Sequence, residues 1–513
     1  MQPLRYTGIA SIHGEATTLC LAVDGSAVTL DLPGLMRFRL ALERTGGNTY
    51  RLPAGAGPSL LEIEFSGAAA SGFAHEGGER AAVTLSPEVP VDLAALSIHS
   101  GVYRTAGGRD LLAGTRGGDA NPIPFLLDGD EVVRLHPTAD ASFVSERAEL
   151  VRFDGDELVL ERAGGPTAVA HRFEPYRSQH VTFPAEDAAI AGTLFVPQGQ
   201  GPFPAIVLLH GSNPGERGFY QLYAHHFALQ GIAALAYDRR GSGASTGSAD
   251  STLEQRARDA AAAIEFLRGR PGIDSERVGL WAFSNGTWSA PMVAARMTPV
   301  AFMVLTGAAG VSGADSETHR KLTELRGWGI GPTVLDEVQR AWRTAYACIA
   351  GGQWPDDVTP AEYDALIARL HDDPSLAAVP LAEYAVANPW LAPIPPNIPA
   401  AELQRNAGRV GDLAYDPAED YARIGCPVLF LVGENDPNTP AAAAGRISDA
   451  LARCGNRRSV VEVVPGAGHY INITPLEIAG MAAAEAASEL HGLRFVPGYL
   501  ERMASWVAQA SRR

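Results

Sequence analysis

The sequence predicts an α/β fold in which a mostly parallel sheet is covered by helices on both faces, preceded by a β-rich N-terminal region. Short continuous apolar runs alternate with helical patterns after residue 178, as in a buried parallel sheet. Alternating apolar and polar runs separated by Gly-rich turns dominate residues 1–178. With 513 residues the chain exceeds the size of a single core, ~250–300 residues, so we expect two or three domains.

The composition excludes several classes of function. The 58 acidic and 41 basic residues give a net charge of −17, which disfavours binding to nucleic acid or to anionic membranes. None of the four cysteines belongs to a CxxC pair, so neither a disulfide scaffold nor a cysteine zinc site is expected. No motif indicates a metal or cofactor.

The location of the protein is only partly constrained. No run of ~18 apolar residues occurs, so no membrane span is predicted. The first residues lack a basic segment followed by an apolar one. We expect a cytoplasmic protein, or a secreted or periplasmic one if a signal peptide was removed before the first residue.

The N-terminal region is expected to form two β-rich modules, residues 1–95 and 96–178. The dipeptides Asp128-Gly129 and Asp154-Gly155 are typical of tight hairpins. The region contains no chemical constellation, so we interpret it as an accessory module. It could bind substrate, pack against the rest of the chain or mediate a homodimer.

Residues 179–513 are expected to form the α/β domain. Ser251 and Glu254 predict a capping box at the start of one of its helices. About 120 residues with helical patterns separate two apolar runs, 301–305 and 427–432, that should be neighbouring strands. Structureless loops of that length are rare, which predicts a helical cap inserted at about 310–420.

The candidate nucleophile is Ser284, which follows the apolar strand Val278–Phe283 and has small residues two positions before and after it, Ala282 and Gly286. A sharp strand-to-helix turn needs small residues at those positions and exposes the serine Oγ. The alternative is an ordinary N-cap serine.

Two further strand ends carry an acid and a histidine. Asp436 and His469 follow Ser284 in the chain order Ser, Asp, His. A serine hydroxyl needs a histidine to accept its proton, and the histidine needs a carboxylate that fixes its tautomer. In the alternative interpretation, Asp436 opens a turn and His469 is a loop histidine. Glu434 is a second candidate acid.

The oxyanion hole is predicted at the backbone amides of Ser212 and Asn285. Ser212 lies in the loop that leaves an apolar strand, and Asn285 directly follows the candidate nucleophile. We interpret His210 as a structural anchor of that loop.

These motifs resemble the α/β-hydrolase superfamily of serine hydrolases, and more narrowly bacterial esterases of the serine aminopeptidase-like and dienelactone-hydrolase-like branch. Two departures are Ala282, where the family usually has Gly, and Thr287, where a second Gly is frequent. The resemblance rests on residues 192–197, 201–212, 237–245, 283–286, 433–436 and 466–469, and less specifically on 29–33 and 101–104 of the β-rich region.

The favoured function is hydrolysis of a small-molecule carboxylic ester through an acyl-enzyme on Ser284. The first alternative is a peptidase or amidase that uses the same serine, aspartate and histidine. Such an enzyme usually needs a charged pocket for a peptide terminus, and the candidates for it are Glu317, Glu324 and Glu337 in the insertion. The second is a binding protein with a catalytically inactive hydrolase fold.

Overall fold

The computed structural model divides into two compact units, Met1–Pro175 and Tyr176–Arg513. The predicted boundary after residue 95 adjoins residues 91–95, which lie outside the described part of the chain. No helix in the described residues is long and apolar enough to cross a membrane. The structure describes all residues except 1–3, 13–14, 33–36, 54–59, 67–68, 77–78, 91–95, 97, 117–122, 139–141, 163–164, 213–214, 380, 382–385, 387, 474–493 and 513.

The described residues of the first unit begin with a nine-stranded antiparallel sheet in the order β4-β3-β2-β1-β9-β8-β7-β6-β5. Leu19 and Leu21 on one face of β2 lie in the sheet's apolar core. Thr18 and Cys20 on its other face are also buried. The strands are β1 (Leu4–Ile12), β2 (Glu15–Asp24), β3 (Ala27–Leu32), β4 (Arg37–Ala41), β5 (Glu43–Gly46), β6 (Thr49–Arg51), β7 (Leu60–Ser66), β8 (Ala69–Glu76) and β9 (Glu79–Pro87).

Eight further strands of this unit form a closed antiparallel barrel. Gly129 and Gly155 adopt positive φ angles of 62° and 58° in the two predicted hairpin turns. The strands are β10 (Gly101–Thr105), β11 (Asp110–Arg116), β12 (Ile123–Asp128), β13 (Glu131–Pro137), β14 (Phe143–Ser145), β15 (Glu149–Asp154), β16 (Glu157–Arg162) and β17 (Thr167–Phe173).

The second unit is built on an eight-stranded sheet in the order β18-β19-β21-β20-β22-β23-β24-β25, counted over the described residues. The pairs β18–β19 and β19–β21 are antiparallel and the other pairs are parallel. The predicted α/β fold is confirmed. The strands are β18 (Tyr176–Ala185), β19 (Ala188–Pro197), β20 (Phe203–Leu209), β21 (Ala233–Tyr237), β22 (Ile273–Phe283), β23 (Met303–Thr306), β24 (Val428–Gly433) and β25 (Val460–Val464).

One helix start differs from the prediction. Thr252, and not Ser251, is the N-cap of α2, and its side chain accepts a hydrogen bond from the Gln255 amide. The helices are α1 (Gln221–Leu229), α2 (Leu253–Arg268), α3 (Gly286–Met292), α4 (Gly313–Gly327), α5 (Pro332–Ile349), α6 (Pro360–His371), α7 (Pro374–Ala377), α8 (Ala400–Arg405), α9 (Ala418–Tyr421), α10 (Ala443–Arg453) and α11 (Tyr499–Ala510).

Helices α4 to α9 occupy the long connection between the paired strands β23 and β24. Leu335, Val338, Trp342 and Tyr346 are buried in an apolar core that this insertion forms from its own helices. These side chains therefore stabilise the insertion itself, whereas Trp328, directly after α4, is exposed.

Candidate active site

Ser284 lies at a sharp turn between β22 and α3 and has a φ of +50°, in the left-handed region. Such a conformation is costly for a residue with a side chain and is frequent at functional sites. A Cβ on Gly286 would lie only 2.7 Å from the His210 carbonyl oxygen, which explains why this position must be glycine.

Thr287 braces the turn from within. Its Oγ1 donates a hydrogen bond to the Ser284 carbonyl oxygen at 2.6 Å and accepts one from the Ala309 amide at 2.9 Å. The side chain is fully buried. A threonine at this position therefore fixes the carbonyl of the candidate nucleophile, a role that the sequence pattern did not reveal.

The structure brings Ser284, His469 and Asp436 together. His469 Nε2 lies 2.8 Å from Ser284 Oγ, and its Nδ1 lies 2.8 Å from Asp436 Oδ2. A carboxylate can only accept hydrogen bonds, so Nδ1 carries the proton and Nε2 is left to accept the serine proton. Both His469 and Asp436 are buried, which keeps competing water away from this chain of hydrogen bonds.

The Asp436 carboxylate is held on both oxygens. Its Oδ1 accepts hydrogen bonds from the amides of Asn438 and Thr439 at 2.8 and 3.0 Å, while Oδ2 faces His469. The other candidate acid, Glu434, accepts a hydrogen bond from the Gly466 amide and so braces the histidine loop.

The two predicted oxyanion donors lie in different segments of the second unit. Asn285 is the N-cap of α3, and Ser212 is an exposed residue in the loop after β20. The preceding amide, that of Gly211, donates to the Tyr220 hydroxyl at 2.7 Å, which anchors this loop. His210 is buried beside Tyr220, and burial lowers its pKa to about 3, so it is neutral.

The first unit contains a cluster that the sequence did not indicate. Cys20, Glu88 and His136 each present one potential ligand atom, all within 4.8 Å of one another. His136 Nδ1 lies 2.9 Å from Glu88 Oε1, while Cys20 Sγ lies 3.5 Å from Nε2 and 3.9 Å from Nδ1. Packing of β2 against the barrel brings Cys20 to His136, and the spacing of these residues along the chain carries no signal.

Comparison with known proteins identifies the family. The model of the Alpha/beta hydrolase family matches residues 206–481, more than half of the chain. The chain belongs to this family. The matched range includes Ser284, Asp436 and His469.

Two curated relatives match parts of the chain. Thiohydrolase aneE of Aspergillus aculeatus is 35% identical over 98 residues, 19% of this chain and 30% of the relative. Esterase FrsA of an Enterobacter species is 30% identical over 116 residues, 22% of this chain and 27% of the relative. The chain thus spans less than a third of the length of either relative.

Solved structures with a similar fold include an esterase of Pyrococcus furiosus and a proline iminopeptidase of Mycobacterium smegmatis. The esterase has a TM-score of 0.38 and 14% identity, covering 66% of this chain and 96% of its own. The iminopeptidase has a TM-score of 0.36 and 16% identity, covering 65% and 99%. At these identities and TM-scores, the two solved structures do not indicate the activity of this chain.

Proposed function

We propose that this hydrolase cleaves carboxylic esters through a Ser284–His469–Asp436 triad and an acyl-enzyme intermediate. The observation that carries the proposal is the pair of 2.8 Å contacts that His469 makes, one to Ser284 and one to Asp436. The positive φ of Ser284 supports it, because that conformation presents Oγ at the start of α3.

In the proposed reaction, Ser284 Oγ attacks the ester carbonyl carbon while His469 Nε2 accepts the hydroxyl proton. The amides of Ser212 and Asn285 stabilise the resulting oxyanion. The C–O bond to the alcohol then breaks, and the alcohol leaves with the proton from His469. Water, activated by the same nitrogen, attacks the acyl-enzyme and releases the acid and free Ser284.

The helical insertion is proposed to act as a cap that selects substrates. Its helix α4 reaches the triad loop, because His319 Nε2 lies 3.2 Å from the Asp436 carbonyl oxygen and Ser316 Oγ donates to the Asn438 carbonyl oxygen at 2.7 Å. Changes in α4 can therefore alter the space beside the triad without removing any of its groups.

A substrate panel and covalent labelling test the proposal. The full chain should hydrolyse p-nitrophenyl esters faster than aminoacyl p-nitroanilides, and acyl thioesters belong in the panel because one relative is named a thiohydrolase. A fluorophosphonate probe should label the wild type and the Ser248→Ala control, but not Ser284→Ala. Labelling that survives in Ser284→Ala would contradict the proposed nucleophile, and faster anilide cleavage would favour a peptidase.

A further inference from the structure

Within the described part of the chain, two arginines beside the candidate active site have no acidic partner, whereas their neighbours do. Arg217 pairs with Asp238 at 2.8 Å, and Arg240 pairs with Asp259 at 2.6 Å. Among the described residues, Arg239 and Arg256 have no carboxylate oxygen within 4.0 Å.

Arg239 and Arg256 instead contact the two segments that carry the proposed oxyanion donors. An Nη of Arg239 donates to the Gly211 carbonyl oxygen at 3.3 Å, one residue before Ser212. An Nη of Arg256 donates to Asn285 Oδ1 at 2.7 Å. The Arg256 guanidinium therefore lies beside the residue that follows Ser284, and the Arg239 guanidinium lies beside the loop that contains Ser212.

The positive charge of this pair is poorly compensated. Burial and the neighbouring charge of Arg239 lower the pKa of Arg256, although Asp412 and Asp250 oppose the effect from a distance. The Arg239 Nε is buried and has no hydrogen-bond partner in the described part of the chain. A buried donor without a partner is costly, and it leaves the guanidinium charge without local compensation, so an anion at the exposed part of the group would be favourable.

Both side chains are nevertheless partly exposed, so a ligand can reach them. The whole chain has a net charge of −17, which makes a local pair of uncompensated cations unusual. Carboxylates suit this arrangement because a guanidinium presents several N–H donors in a fixed plane.

We propose that Arg239 and Arg256 form a subsite for a carboxylate of the substrate, so that the preferred ester carries a free carboxylate near the bond that is cleaved. This inference rests on the proposed ester hydrolysis at Ser284. Arg239 and Arg256 are specificity-determining residues in this view, and they take no part in proton transfer.

Matched substrates test the subsite. The ratio of kcat/KM for mono-p-nitrophenyl glutarate to that for the neutral p-nitrophenyl glutaramate should be at least about tenfold, the size expected for one charge-assisted hydrogen bond. A second pair, 4-acetoxybenzoate and 4-acetoxybenzamide, places the carboxylate on the alcohol side. A preference in either pair supports the subsite and assigns its side, while no preference in both overturns it.

Charge-removing variants separate recognition from bracing. Arg239→Gln and Arg256→Gln should bring the preferred ratio close to one, whereas Arg258→Gln, on the same helix as Arg256 and paired with Glu254, should keep it. A bracing role would lower kcat/KM for both members of a pair equally, leave the ratio intact and overturn the inference.

Binding of glutarate, measured by calorimetry with the full chain, distinguishes the two proposals. Glutarate binding that Arg239→Gln weakens at least about tenfold supports the subsite even if no ester is hydrolysed, in which case the proposed function alone fails. Hydrolysis of neutral esters without any glutarate binding overturns the subsite and leaves the proposed function standing.

Discussion

Two regions of the chain place a carboxylate, an imidazole and a nucleophilic atom in contact, yet they differ in geometry. In the second unit His469 contacts Asp436 through Nδ1 and Ser284 through Nε2, both at 2.8 Å. In the first unit His136 Nδ1 contacts Glu88 at 2.9 Å, but Cys20 Sγ lies at similar distances from both ring nitrogens, so neither points directly at it.

The backbone explains this difference. Ser284 lies at a strained turn before a helix, whereas Cys20 is in the middle of β2 and paired with strands on both sides. Cys20 is also buried against His136 of the barrel, which leaves a substrate no approach to its Sγ. The same three types of group can therefore form a candidate active site or a structural contact, depending on the backbone that presents them.

The largest difference between the two regions is expected when each nucleophilic atom is removed. Ser284→Ala should lower kcat by roughly 10⁴–10⁶-fold, because triad members act as one unit. Cys20→Ser should leave ester hydrolysis unchanged. A p-nitrophenyl ester assay of both variants measures these effects, and loss of activity in Cys20→Ser would contradict a purely structural role for Cys20.

The two acids give the next largest contrast. Asp436→Asn should lower kcat by ~10⁴-fold, since the histidine loses the carboxylate that orients it. Glu88→Gln should leave activity intact, and Glu434→Gln should have a mild effect because Glu434 accepts its hydrogen bond from Gly466. A severe loss of activity in Glu434→Gln with a mild loss in Asp436→Asn would show that Glu434, and not Asp436, orients the histidine.

The histidine of the first unit should appear in the pH dependence of stability. Burial lowers the pKa of His136, but Cys20 and the Glu88 carboxylate outweigh burial and raise it to about 10. A folded-state pKa above the unfolded value stabilises the protein below pH ~6.5, and this stabilisation is lost as the pH rises towards 10. The free energy of unfolding should therefore fall by up to about 5 kcal/mol over that range.

Urea denaturation followed by far-UV circular dichroism, compared with His136→Gln, measures this loss. All seven tryptophans lie after residue 175, so their fluorescence reports on the second unit alone. A fall with pH that persists in His136→Gln would assign the effect to another group.

The smallest expected effects come from two threonines with the same pair of hydrogen bonds. Thr287 Oγ1 bonds to Ser284 and Ala309, and Thr18 Oγ1 donates to the Ser145 carbonyl oxygen and accepts from the Ala148 amide. Each change to Val should cost about 1–3 kcal/mol of stability, because buried partners are left unsatisfied. Only Thr287→Val should also lower kcat, which thermal denaturation and the ester assay measure together.

The sequence predicted the α/β fold well because strands and helices of that unit have local signatures, such as the apolar run before Ser284. Chain order and strand ends were enough to select Asp436 and His469 as candidates. The sequence could not predict contacts that depend on the direction of a side chain. The roles of Thr287 and Arg256, and the meeting of Cys20 with His136, depend on which faces pack together, and no spacing along the chain encodes that.

The separate core of the helical insertion has a consequence for how this chain can diverge. Leu335, Trp342 and their neighbours pack on one another, and the apolar core of the sheet is a different set of residues. A substitution of Leu335 or Trp342 can therefore be compensated by neighbouring side chains of the same core. Descendants of this chain can exchange or reshape those helices repeatedly while the strands that hold Ser284, Asp436 and His469 remain under their own constraints.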